Sequence, residues 1–149
     1  MYKHILVPVD GSQPSQHALR TAISLAKEVG ARLRLVHVVE ITTYLAGYDA
    51  TGGANDLYAA VRDSGSQILK EGATTAVAEG LEVDHSLVDG SGGRLGDVVA
   101  EVATQFGADL IVVGTHGRSG PSRLLLGSGA EQIIRLSPVP VLVTRQPSR

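Results

Sequence analysis

One spacing in the chain has an evident chemical use: Gly114-x2-Gly117-x9-Gly127-Ser128. Gly114 follows directly on the apolar run Leu110-Ile111-Val112-Val113, and Gly127-Ser128 opens a short stretch of helical pattern. Glycines at such junctions let main-chain N–H groups come close to a ligand and tolerate positive φ. The unpaired N–H groups of a helix start, with the helix dipole behind them, favour an anion. The Ser128 hydroxyl adds one hydrogen bond to a phosphate oxygen. Together these residues describe a phosphate cradle made of backbone, with no catalytic lysine. His116, Arg118 and Arg123 sit in the same loop. They are either charge partners for phosphates or solvated loop residues, and arginine is the better partner because it is always charged. Asp10 ends the apolar segment HILVPV. It reads as a ribose or Mg²⁺ ligand, or as a cap on the next helix, and its strand-end position favours the ligand role.

Other chemistries are poorly served. There is no G-x-x-x-x-G-K-[ST], and the two partial G-x-G-x-x-G patterns, from Gly90 and from Gly127, fail at Leu95 and Gln132. The absence of cysteine excludes disulfides, thiol nucleophiles, Cys-ligated zinc and iron–sulfur clusters, and favours the cytoplasm. Thirteen Lys and Arg against fifteen Asp and Glu leave a net charge of −2, unlike a dedicated nucleic-acid binder. With one Phe and no Trp, a base-stacking platform is also unexpected. No apolar stretch approaches the ~20 residues of a membrane span, and no signal peptide fits the start. Ser12 reads as a helix cap, because no His/Asp partner is evident for a nucleophile. His4, His17, His37 and His85 lack metal-ligand spacing, and Asp97 with Asp109 suggests no acid–base dyad.

These candidates need elements to position them. Apolar, β-branched runs at 4–9, 32–38, 82–88, 110–113 and 141–144 predict five strands. Helical patterns follow each of the first four. The first carries Ala18, Leu19, Ala22, Leu25, Ala26 and Val29 inward, with Pro14 in its first turn, Ser12 or Gln13 as cap and Gly30 at its end. The second is expected from about Asp56 to Glu79, with Leu57, Val61, Ile68 and Leu69 inward, although Gly65 and Gly72 each cost about 1 kcal/mol against Ala. The third spans about Arg94 to Phe106, and the fourth about Ser128 to Leu136. Residues 40–56 and 114–127 read as long connections, of the kind that is often functional. Pro138 and Pro140 mark the last strand as an edge. The order β-α-β-α-β-α-β-α-β predicts one α/β domain over residues 1–149, an open parallel five-stranded sheet with helices on both faces. In such a sheet ligands sit beyond the C-terminal strand ends, which here means Asp10–Ser12, Val38–Glu40, Asp89–Gly93 and Gly114–Ser128.

At this point the chain resembles the universal stress protein family, in its ATP-binding branch. G-x2-G-x9-G-[ST] is that family's nucleotide signature. HILVPVDGS at 4–12, LVHVV at 35–39, ADLIVVGTHGRSG at 108–120 and LLGSGAEQIIRLSPVPVLVTR at 125–145 extend the likeness over essentially the whole chain. The resemblance implies a Rossmann-like sheet of order 3-2-1-4-5 and a homodimer formed largely through the last strand. It also implies bound ATP or a related nucleotide (ADP or AMP), with or without Mg²⁺, and Asp10 near the ribose or the metal. Carried over by position, Pro8, Val9 and Asp10 line the nucleoside end, and Val38 contacts adenine. Gly114 lies by the ribose, while Gly117, Gly127, Ser128 and Gly129 hold the phosphates. Val139, Val141 and Val143 belong to the dimer edge. Gly129 departs from the pattern, since an apolar residue is expected after the Gly-Ser pair. The loop at Gly90–Gly93 also lacks a proline often found there.

Three functions fit. The first is a nucleotide-binding, homodimeric stress-response regulator with little or no turnover. The second is a slow Mg²⁺-dependent ATPase or phosphotransferase, weakened by the want of an evident general base. The third is a protein-interaction dimer without nucleotide. The first agrees best with a cradle that lacks a Walker lysine.

Overall fold

The computed structural model describes residues 1–40, 53–90, 92–115 and 126–146. Five strands, β1 (His4–Pro8), β2 (Arg32–Val39), β3 (Val83–Asp89), β4 (Leu110–Gly114) and β5 (Val141–Thr144), form one sheet of order β3-β2-β1-β4-β5. All four pairings are parallel. Among the described residues four helices alternate with them: α1 (Gln13–Val29), α2 (Gly53–Ala78), α3 (Leu95–Phe106) and α4 (Ser128–Leu136). The expected sheet, its order and its helices are therefore present, and β5 lies at an edge as its prolines foretold.

The inner strands are apolar on both faces because helices cover both. Ile5, Val7, Leu33, Leu35 and Val112 pack with α1 and α2 on one side. Leu6, Val36, Ile111 and Val113 pack with α3 and α4 on the other. Successive strand residues point to opposite faces, so a continuous apolar run serves two cores at once.

Two expectations need correction. Val29 is 39% exposed, whereas Ile23 is buried. The helix stops at Gly30 with φ +71, the Ala31 N–H donates back to the Ala26 carbonyl, and Ala31 is buried in place of Val29. The second helix also begins at Gly53, three residues before the expected start, and so takes in the end of the 40–56 connection. Its glycines have a packing reason. A Cβ on Gly65 would lie 2.6 Å from His37 Cδ2, and one on Gly72 would lie 2.8 Å from Leu35 Cδ1. The helix sits down on β2 at these two points, which offsets the propensity they cost.

Candidate functional site

A cavity of about 660 Å³ opens at the C-terminal ends of β1, β2 and β4. The strand order reverses between β1 and β4, the position where a doubly wound sheet leaves a crevice. Pro8, Val9 and Asp10 form one wall, Val38 with its β2 neighbours another, and Gly114 a third. Gly127, Ser128, Gly129 and Ala130 close it with the first turn of α4. Its volume lies within the range of small-molecule sites.

The turn after β1 is braced from within. Asp10 Oδ1 accepts from the Ser12 N–H at 2.9 Å, and the Asp10 N–H donates to Ser15 Oγ at 3.1 Å. Ser12 is the cap of α1, its hydroxyl accepting from the Ser15 N–H. Asp10 therefore does structural work with one carboxylate oxygen. Oδ2 has no hydrogen-bond partner among the described residues, and the side chain is exposed at the cavity wall.

Glycine at 114 is dictated by packing. A Cβ there would fall 2.6 Å from the Pro14 carbonyl oxygen, so β4 ends tight against the first turn of α1. The start of α4 is placed the same way. A Cβ on Gly96 of α3 would lie 2.7 Å from the Gln132 carbonyl, and one on Gly129 would lie 2.9 Å from Leu95 Cδ2. Gly129 is thus the small residue that lets α3 and α4 meet. The Gly96 N–H also donates to Gln132 Oε1 at 3.1 Å. The Gly127 N–H donates to the Thr115 carbonyl at 2.7 Å, clipping together the two ends of the 114–127 connection.

The two helix starts differ. α1 begins on a serine whose side chain caps it, whereas α4 begins on Gly127, which has no side chain to do so. The first-turn amides of α4 border the cavity with the positive end of the helix dipole. The described lining has two carboxylates, Asp10 and Glu40, and no Lys or Arg. His37 also borders it. Its Nδ1 lies 2.7 Å from the Val9 carbonyl oxygen, so Nδ1 carries the proton and donates. No group of three His, Asp or Glu able to hold a metal occurs among the described residues.

Of the expected site residues, Pro8, Val9, Asp10, Val38, Gly114, Gly127, Ser128 and Gly129 meet in this one cavity. His116, Gly117, Arg118 and Arg123 lie outside the described residues. Sequence reasoning missed Ser15, Val61, Leu95 and Ile133, which line the same space. The last three sit on apolar helix stripes and look like core; only the folded arrangement distinguishes them. It also missed a cluster at the end of β3. Asp89 Oδ1 accepts from Arg62 Nη1 at 2.9 Å and Oδ2 from the Tyr58 hydroxyl at 3.1 Å. Hydrogen bonds to Tyr58 and then to Asp89 hold the Arg62 guanidinium more firmly charged than usual.

A doubly wound parallel sheet with a glycine-lined crevice at its switch point is the general class. Within that class, the universal stress protein family matches residues 1–145. A universal stress protein of Methanocaldococcus jannaschii, MJ0531, is 34% identical over 149 residues, covering 100% of this chain and 85% of that one. The solved structure of the hypothetical protein MJ0577 superposes with a TM-score of 0.82 at 25% identity, covering 100% of this chain and 99% of that one. A universal stress protein solved in complex with cAMP superposes with a TM-score of 0.69 at 27% identity, covering 96% of this chain and 97% of that one. The chain belongs to the universal stress protein family. No helix among the described residues is long and apolar enough to cross a membrane.

Proposed function

We propose that this protein binds an adenine nucleotide, ATP foremost and ADP or AMP as relatives of it, and acts in the cytoplasm as a homodimeric stress-response regulator with little or no turnover. One observation carries the binding proposal: strand-end Pro8–Asp10 and Val38, Gly114 and the uncapped start of α4 share a single cavity of about 660 Å³. A family relative solved with cAMP supports the nucleotide class. The base lies toward Val38, the ribose toward Asp10 and Gly114, and the phosphates beside the bare Cα of Gly127, whose own N–H is held by Thr115, and on the amides of Ser128 and Gly129, with Gly117, His116, Arg118 and Arg123 from the adjoining loop.

Mg²⁺ suits this donor set only as a companion of the phosphates. Mg²⁺ commonly takes one or two protein carboxylates together with substrate phosphates and waters, and Asp10 offers Oδ2 at the cavity wall. Phosphoryl transfer calls for cationic clamps and a positioned nucleophile. Apart from the His37 ring, whose Nδ1 is engaged by the Val9 carbonyl, the polar groups of the described wall are amides, hydroxyls and carboxylates, which suits holding a nucleotide better than cleaving it.

The test is calorimetric titration of ATP, ADP, AMP and cAMP into the wild type and Gly127→Val. Gly127 has φ −64 and ψ 155, an extended conformation that valine adopts freely. The variant should fold with an unchanged Tm and bind ATP about 100-fold more weakly, roughly 2.7 kcal/mol. Undiminished binding would overturn the phosphate assignment.

The dimer proposal rests on β5. Pro140 and Thr144 carbonyls accept from the Ile111 and Thr115 N–H groups of the β4 side, so Val141 and Val143 turn their main-chain groups to the open edge. Their side chains, with that of Val139, pack partly buried on the core, while Leu142 faces outward at 38% exposure. The edge is thus offered by backbone more than by the valine side chains. Val143→Pro, which removes an outward N–H, should sediment as a monomer where the wild type is a dimer.

A further inference from the structure

Parallel strands lie about 4.8 Å apart, so the ends of β2 and β4, on either side of β1, stand roughly 10 Å apart. A nucleotide whose phosphates rest on α4 therefore directs its base toward β2 and whatever overhangs it. That overhang is α2. Tyr58, Val61, Gly65, Ile68 and Gly72 recur at helical spacing and form the stripe turned to the sheet. Gly65 seats the helix against the His37 ring, and that ring in turn holds the Val9 carbonyl of the cavity wall. One turn earlier, Val61 is the α2 residue that lines the cavity among those described.

The residues flanking Val61 are clamped. Asp89, the last residue of β3, accepts from both Tyr58 and Arg62, and Arg62 Nη1 also donates to the Tyr58 hydroxyl at 3.2 Å, with its guanidinium 5.6 Å from that ring's centre. The Arg62 and Asp89 side chains are 37% and 36% exposed, too wet for the pair to be a main prop of the fold. The geometry is local: three side chains fix one turn of α2 to the end of β3, beside the cavity.

We propose that Val61 is a specificity-determining residue that meets the base of the bound nucleotide, and that Tyr58, Arg62 and Asp89 are positioning residues that hold it there. This deepens the nucleotide assignment and rests on it.

The test titrates ATP, CTP and inorganic triphosphate into the full-length protein. Val61→Phe should weaken ATP about 10-fold by overfilling the base end. It should weaken CTP less, because a pyrimidine is smaller, and leave triphosphate unchanged. Val61→Ile should give the same pattern in miniature and serves if the larger side chain prevents folding. Asp89→Ala should weaken ATP about 3-fold without moving triphosphate, and Asp89→Asn, which keeps an acceptor, should recover part of that loss. An unchanged ATP-to-CTP ratio in both Val61 variants, or ATP and triphosphate falling together, would overturn the proposal. A wild type that does not bind ATP would overturn the nucleotide assignment itself, whereas a wild type that binds ATP beside Val61 variants that bind it equally well overturns only the role of Val61.

Discussion

The two ends of the sheet are built on opposite plans. At the end where the strands begin, charge is settled inside the chain. The Asp109 carboxylate accepts from the Lys3 and His4 N–H groups at 2.8 and 3.1 Å. Arg34 pairs with Asp84 across β2 and β3 at 2.6 Å, and its guanidinium lies 4.4 Å from the centre of the Phe106 ring, which His4 meets edge-on. The hydrogen bond to Asp84 holds Arg34 more firmly charged than usual. At the end where the strands finish, the chain leaves groups open at the cavity: an uncapped helix start and one oxygen of Asp10. One end spends its polar groups on the fold; the other, Asp89 with Tyr58 and Arg62 apart, leaves some of them unspent at the cavity, as the proposed nucleotide site requires. That division is what a switch-point site requires, because a donor already satisfied within the chain has little to offer a ligand.

The largest way to break this contrast is at Gly114. Gly114→Val forces a side chain into the Pro14 backbone and should cost about 3 kcal/mol in chemical denaturation. Nucleotide binding should weaken with it, because stability and site coincide at this end. Asp109→Ala attacks the opposite end. It should cost about 1 kcal/mol through two lost main-chain bonds and leave ATP affinity where it was. If affinity falls, the two ends are coupled and the division is less clean than described.

The smallest effect belongs to Glu79, whose carboxyl is held below the usual glutamate range by its hydrogen bond to Lys27 at 2.8 Å. A depressed folded-state pKa contributes stability above the unfolded value and loses it as pH falls through the folded one. Glu79→Gln should therefore lower Tm slightly near neutral pH, and the difference from wild type should vanish in acid. A difference that persists in acid would show that the ion pair is not its source.

The open end was far more legible in the sequence than the closed one. Glycine spacing is local, and the run Leu110–Val113 announces the strand that Gly114 ends, so the strand end and the helix start that line the cavity were readable from neighbouring residues alone. Asp109 meets Lys3 and His4 across more than a hundred residues of chain, and Arg34 meets Asp84 only once β3 lies beside β2 in register. Nothing local in either stretch encodes that meeting. Gly65 and Gly72 looked like flaws in a helix because the helix alone was considered; their partners Leu35 and His37 are on another element. Gly129 looked like a departure from the family pattern for the same reason; its partner Leu95 is also on another element. Val61 shows the converse: apolar periodicity gave its inward face but not that this face ends in a cavity.

The central claim is that the open end holds an adenine nucleotide. It is tested most directly by denaturing the freshly purified protein and identifying what it releases by mass spectrometry, followed by titration of the stripped protein with ATP. The account predicts a stoichiometric adenine nucleotide, or saturable ATP binding after stripping, with ATP recovered intact on incubation with Mg²⁺. A protein that releases no nucleotide and binds none at millimolar ATP would contradict it.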